Sequence, residues 1–510
     1  MSKEDQFLST ITEGYAFKGD CIELGGAMLN GEVVENCIVK IPLKTMNRHG
    51  LIAGATGSGK TKTLQILAEQ LSSKGTPVLL MDIKGDLSGI AVAGDENEKI
   101  IERHKKIGIS HTSNGNPVEF LTLSEEKGAR LRATVIEFGP VLFSKILGLN
   151  DTQGSVVSVV FKYCDDKGWL LLDLDDFKKV LNYFMNDGKE ELKKDYGNIS
   201  PMTIGTILRK VIELEQQGAG TFFGERSFEV DDLCRLDDQG RGIISILRLT
   251  DIQDRPKLFS TFMLQLLAEM YSTFPEEGDL EQPKLCVFID EAHLVFSEAS
   301  KALLSQIESI IKLIRSKGVG VYFCTQNPQD VPDAVLGQLG MKMQHALRAF
   351  TAKDRQNIRL VAQNYPLTEY YDVEILLTQL GIGEALITVL NEKGIPTPLV
   401  HTMLRPPQSR MDVLMDNEIE DILRGSKIIK KYNEVINRES AFEMLTAKLN
   451  QAAIDQPAPN SSSRAQKEEP TFVEKAMKSP LVKQVSNTFI REITRGLLGV
   501  LGLSGKKKIW

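Results

Sequence analysis

Eight consecutive residues, Gly54-Ala55-Thr56-Gly57-Ser58-Gly59-Lys60-Thr61, have the composition of a phosphate cradle. Glycines let the backbone curl so that successive N–H groups turn inward toward phosphate oxygens. Lys60 brings a compact positive charge to the β- and γ-phosphates, and the Thr61 hydroxyl is a ligand type that suits Mg2+. A helix starting at this point adds its positive dipole end. Gly54, Ala55, Thr56, Gly57, Ser58, Gly59, Lys60, Thr61 and Lys62 are therefore the expected nucleotide contacts. The pattern carries weight only between a strand and a helix. Here residues 49–53 form an apolar run, and Leu64, Leu67, Ala68 and Leu71 recur at helical spacing after the loop.

A second group of residues supplies acid chemistry. The apolar run 285–289 ends in Asp290 and Glu291, and open α/β sheets bind their ligands beyond the carboxyl ends of their strands. Asp290 is expected to hold Mg2+ through water, and Glu291 to act as general base on the attacking water. Such a pair is also common at surface turns; the phosphate loop is what gives this one its meaning. A further apolar run, 319–324, ends in Thr325 and Gln326. If its strand lies beside the others, Gln326 emerges near the γ-phosphate and senses or orients the water; otherwise it caps a strand. Asp82 and Asp86, after the run 77–82, either support the Mg2+ shell or cap a turn.

The elements that position these residues alternate. Strand 49–53, helix 60–72 and strand 77–82 read as a βαβ unit, which requires parallel pairing. Strands at 285–289, 320–325 and 341–350 and a helix at 302–316 resume the pattern, so the fold class is α/β, with core segments 47–89 and 284–405. Residues 1–46 read as a short strand-rich lead-in, and 90–283 as a largely helical insertion interrupted by short strands at 134–138 and 242–247. A helical extension follows at 406–454. Residues 455–470 are rich in Pro, Ser and charge, with too little apolar content to pack, and are expected to be a disordered linker. The last segment, 471–510, carries Leu481, Val482, Val485, Phe489, Ile490, Ile493, Leu497 and Leu498 at helical spacing before Lys506, Lys507 and Lys508. That amphipathic helix docks on its own domain or a neighbouring subunit, or lies on a membrane surface.

Composition narrows the function classes. The chain of 510 residues has 61 basic and 68 acidic side chains, so no global charge draws it to nucleic acid, and any DNA contact is local. The six cysteines are scattered without a CxxC pair, the usage of a protein with reduced thiols. The start lacks the apolar core of a signal peptide, and no uninterrupted apolar stretch is long enough to span a bilayer. A cytoplasmic location is expected.

With these motifs in place, the chain resembles the HerA/FtsK superfamily of ring-forming ATPases, in particular the bacterial HerA-like group. The resemblance rests on residues 49–61, Asp82-Ile83-Lys84-Gly85-Asp86, Phe288-Ile289-Asp290-Glu291-Ala292-His293 and Thr325-Gln326-Asn327-Pro328. Residues 335–340 and 344–350 add to it. It implies a RecA-like P-loop NTPase core that uses ATP and Mg2+, assembled as a homo-oligomeric ring, a hexamer, whose sites are completed by an arginine from the next subunit. Such an arginine is worth roughly a thousandfold or more in rate; Arg348 is the first candidate and Arg315 the second. The implied activity is an ATP-driven motor on DNA, translocase or helicase-like. Two alternatives stay open: an ATPase that moves or remodels protein, and a weakly hydrolysing nucleotide-binding scaffold, which the presence of Glu291 disfavours. Asp290-Glu291-Ala292-His293 also spells a DEAH box, but no second RecA-like pattern with an arginine-rich motif follows Gln326. Residues 351–354 have the wrong spacing to read guanine.

Overall fold

The apolar runs before the phosphate loop and before Asp82, Asp290 and Gln326 become strands. The computed structural model describes residues 2–455 apart from 96, 279, 297–300, 435, 437 and 438. The expected linker after Asp455 and the terminal helix at 471–510 lie outside the described residues.

Among the described residues, twelve strands form one sheet. They are β1 (Cys21–Leu29), β2 (Glu32–Pro42), β3 (Gly50–Ala53), β4 (Val78–Asp82), β5 (Val118–Thr122), β6 (Ala129–Arg130), β7 (Ile244–Arg248), β8 (Leu285–Ile289), β9 (Val319–Thr325), β10 (Met341–Gln344), β11 (Glu384–Thr388) and β12 (Val400–Leu404). Their spatial order is β2-β1-β12-β11-β10-β3-β9-β8-β4-β7-β5-β6. From β10 to β6 every neighbouring pair is parallel. The pairs from β10 through β11, β12 and β1 to β2 are antiparallel. Every residue of β3, β4, β8 and β9 is buried, the pattern of parallel strands covered on both faces.

The lead-in is thus part of the sheet, with β1 and β2 extending its antiparallel edge. A helix, Lys3–Gly14, precedes them, held at its start by a capping box between Ser2 and Asp5. The segment 90–283, expected to be largely helical, also contributes β5, β6 and β7 to the sheet. Its helices concentrate in a separate compact unit that takes in residues 131–228 together with described residues between 431 and 455. There, helices Val135–Ile146, Asp151–Lys167, Leu174–Met185 and Pro201–Leu214 enclose a core containing Phe138, Phe143, Tyr163, Phe177 and Phe184. The strand expected at 134–138 is instead the first turn of a helix. Thr134 and Glu137 close a capping box there, with the Thr134 amide donating to Glu137 Oε2 at 2.7 Å.

The helix after the phosphate loop, Lys60–Ser73, buries Leu64, Leu67, Ala68 and Leu71 as its spacing requires. Its Glu69 is buried too, and accepts from the amides of Gln408 at 2.8 Å and Ser409 at 3.2 Å and from the Ser409 hydroxyl at 2.9 Å. Gln65 adds bonds to the Ser409 hydroxyl and the Arg410 carbonyl, both at 2.8 Å. The segment after β12 is therefore strapped along this helix. Burial pushes the Glu69 carboxyl up to about 7 against the pull of those donors. Burial and the charge of Asp86 raise Asp82 to about 7 as well. Between the ordinary carboxylate range and about pH 7 the folded chain holds protons that the unfolded chain has released, so stability falls as pH rises through that window. Glu69→Gln is expected to remove a share of that loss on the order of 3 kcal/mol. Unfolding midpoints of both chains at about pH 5 and pH 8 check it.

Candidate active site

The strand order brings the chemistry together. β9 lies between β3 and β8, with Ala53 beside Thr325 and Ile289 beside Phe323. β4 follows on the far side of β8, with Met81 beside Ile289. The residues just beyond these ends, Gly54, Gln326, Asp290 and Glu291, and the turn after Asp82 therefore emerge on one edge of a parallel sheet, where a ligand is expected.

The loop from Gly54 to Thr61 is pinned on several sides. The Gly54 amide donates to the Thr325 carbonyl at 3.2 Å, the Ala55 amide to the Ala346 carbonyl at 2.8 Å, and the Gly383 amide to the Ser58 carbonyl at 3.0 Å. Gly57 and Gly59 have φ of 75° and 111°, left-handed backbone that favours glycine. Gly54 is needed for space as well, since a Cβ there would meet the His345 Cβ at 2.5 Å. Lys60, only 6% exposed, donates through its ammonium to the carbonyls of Gly54 at 2.7 Å and Ala55 at 3.1 Å. Thr61 Oγ1 donates to Asp86 Oδ2 at 3.3 Å.

Across the sheet edge stand the two acids. Asp290 and Glu291 are buried, and Glu291 has φ of 47°, a conformation a residue with a Cβ adopts at a cost and one that clusters at functional sites. Gln326 joins the two halves: its Oε1 accepts from the Thr56 hydroxyl at 3.3 Å and its Nε2 donates to Glu291 Oε1 at 3.4 Å. Lys84, in the turn after β4, places its Nζ 2.5 Å from Glu291 Oε1 and 3.9 Å from Asp290 Oδ2. Burial works to raise the Glu291 carboxyl, but Lys84 and Gln326 outweigh it and hold the group below its usual range. Asp290 moves the other way, raised chiefly by burial. Asp290 Oδ2 and Asp86 Oδ1 have no hydrogen-bond partner among the described residues.

The structure thus brings Thr56, Lys60, Thr61, Asp290, Glu291 and Gln326 to one place. It separates the two aspartates that the sequence left open. Asp82 caps a turn, accepting from the amides of Gly85 at 2.8 Å, Asp86 at 3.1 Å and Leu87 at 3.2 Å; Asp86 faces Thr61. The Lys62 ammonium points elsewhere, donating to the Met411 carbonyl and to Gln65 Oε1. Arg348 and Arg315 are exposed, and Arg348 donates to the Thr378 carbonyl at 3.2 Å rather than to any group of this site.

Two residues here were given no role from the sequence. His345 lies under the loop: its amide donates to the Ala53 carbonyl at 2.7 Å, and its Nε2 is 2.9 Å from the Thr63 hydroxyl. Burial lowers its pKa to about 4, so it stays neutral and structural. Lys84 is the other. Both sit in segments that carry the resemblance, which was the only available signal.

The sequence profile described as Helicase HerA-like C-terminal matches residues 28–508. The DNA double-strand break repair helicase HerA of Saccharolobus solfataricus is 25% identical over 377 residues, covering 71% of this chain. The chain spans 66% of that relative's length. The protein of the same description from Sulfolobus acidocaldarius is 23% identical over 400 residues, covering 77% of this chain and 70% of its own. Among solved structures, the bacterial conjugative coupling protein TrwBdeltaN70 in its unbound monoclinic form superposes with a TM-score of 0.50 at 14% identity, over 80% of this chain and 94% of that one. That likeness is one of fold: an α/β, RecA-like P-loop core.

Proposed function

Because the chain belongs to the helicase HerA-like C-terminal family, we propose that it binds ATP with Mg2+ at residues 54–61 and hydrolyses it to drive movement along DNA. The observation that carries this reading is the Gln326 bridge, which links Thr56 of the phosphate loop to the carboxylate of Glu291. A nucleotide bound in the loop and a water held by Glu291 then share one contact network.

The residues present fit the groups this chemistry needs. Gly54, Gly57 and Gly59 form a cradle that side chains would fill or strain; Asp86 beside the Thr61 hydroxyl, and Asp290, each have an oxygen that accepts no hydrogen bond among the described residues, and these are the hard donors that Mg2+ takes. Thr61 and Asp290 would hold the ion, which when bound neutralises charge on the β- and γ-phosphate oxygens. Lys60 binds the same phosphates. Glu291 takes the proton of the attacking water as that oxygen bonds to the γ-phosphorus and the bond to ADP breaks. Gln326 orients the water. Arg348, exposed after β10, serves a neighbouring subunit's site in a hexameric ring.

The printed descriptions of the two HerA relatives support DNA as the polymer. The formal charge of −7 favours the second reading, in which the motor moves or remodels protein. Among the described residues, no helix is long and apolar enough to cross a membrane; the cytoplasmic location and the docking role of the terminal helix are part of the same proposal. ATP turnover with and without single- and double-stranded DNA, measured together with solution mass, tests it. Stimulation by DNA from a hexamer supports the DNA motor, whereas turnover indifferent to DNA transfers the reading to a protein substrate.

A further inference from the structure

The Glu291 carboxylate is neutralised by a cation in the arrangement observed. Its Oε1 receives both the Lys84 ammonium at 2.5 Å and the Gln326 amide at 3.4 Å, while its Oε2, 3.3 Å from His293 Nδ1, has no hydrogen-bond partner among the described residues. A general base must present a lone pair to the water it activates. A carboxylate in an ion pair this short presents a poor one.

The way Lys84 is mounted makes this contact breakable. The backbone of its turn is moored, because Asp82 accepts from three successive amides, those of Gly85, Asp86 and Leu87. The Lys84 side chain is not moored in that way. It is 37% exposed and forms ion pairs with the two acids just beyond β8, and a lysine is a point charge on a flexible four-carbon stem. It is also close enough to Lys60 for the two ammonium groups to repel, which is one reason the Lys60 pKa is lowered, after burial. The phosphate loop and the Lys84–Glu291 pair therefore share one electrostatic neighbourhood. A terminal phosphate placed beside Lys60 offers Lys84 an anion more highly charged than a single carboxylate.

We propose that Lys84 is a phosphate-responsive positioning residue, which holds Glu291 out of action until the terminal phosphate of ATP draws its ammonium away. This rests on the reading of residues 54–61 as an ATP site. It makes release of the base conditional on the third phosphate: ADP, lacking that phosphate, leaves the Lys84–Glu291 pair closed. Gln326 stays on Glu291 throughout and keeps the carboxylate aimed toward the loop through Thr56.

Equilibrium titration of the full chain with Mg2+ and either ADP or a non-hydrolysable ATP analogue separates this role from a purely structural ion pair. In the wild-type chain the analogue is expected to bind more tightly than ADP. Lys84→Met is expected to reduce that preference about tenfold while ADP affinity stays within about twofold, and Lys84→Arg, which keeps the charge, to restore most of it. Retained ADP binding also reports that the variant is folded. An unchanged preference in Lys84→Met overturns the inference and leaves the ATP site standing, as does a loss of ADP and analogue binding in equal measure, which marks a structural contact. Failure of the wild-type chain to bind either nucleotide removes the ATP-site reading and this inference together.

Discussion

Glu291→Gln is expected to lower ATP turnover about 100- to 10,000-fold while nucleotide binding stays within a few-fold, the range that loss of a positioned general base produces. Glutamine has the same shape, so the left-handed backbone at this position (φ of 47°) and the bond from Gln326 can persist. What disappears is the carboxylate that accepts the water's proton. Binding survives because the phosphates are held by the loop between β3 and the following helix and by Lys60 at that helix's start, and not by the Glu291 carboxylate. Single-turnover phosphate release alongside equilibrium binding of ATP measures both quantities. A parallel loss of binding and turnover would place Glu291 in nucleotide binding and not in water activation.

The second large effect is expected at Lys60. Lys60→Ala removes the cation buried in the loop and leaves the Gly54 and Ala55 carbonyls without its donors. Hydrogen bonds to charged groups contribute about 1.5–3 kcal/mol, so nucleotide affinity is expected to fall roughly 10- to 100-fold. Turnover is expected to fall further than affinity, since the same cation stabilises charge that develops in the transition state. Lys60→Arg is not a conservative rescue, because a planar fork does not fit a space shaped for a compact ammonium. Calorimetric titration with ADP and with ATP checks the first figure, and turnover at saturating ATP the second.

Much of this site was legible in the sequence because its parts are local. Apolar residues 49–53, the glycine loop and the helical spacing after Lys60 encode strand, turn and helix within one short stretch. Asp290 and Glu291 were legible as the end of a buried strand for the same reason. Relations between distant segments were not. That β9 lies between β3 and β8, which is what lets Gln326 span Thr56 and Glu291, is a property of sheet order. Strand composition does not specify order when every candidate is a short apolar run. Lys84 shows the limit most clearly: its partner Glu291 is set opposite it only by the pairing of β4 with β8.

Other misses had a signal that went unused. Residues 134–138 alternate enough to read as a strand, yet Thr134 and Glu137 stand at capping-box spacing and start a helix. The opening helix Lys3–Gly14 carries the same kind of signature in Ser2 and Asp5. The run 242–247 was visible as a strand, but its pairing with β4 and β5, which makes it part of the main sheet, follows from long-range packing.

The most direct test of an ATP-hydrolysing site is phosphate release from ATP and Mg2+ by the purified full chain and by Glu291→Gln, assayed side by side. Release by the full chain that drops to background in Glu291→Gln is the expected result. Equal release from both chains, or none from either with or without DNA, would contradict a site built from residues 54–61, Asp290 and Glu291.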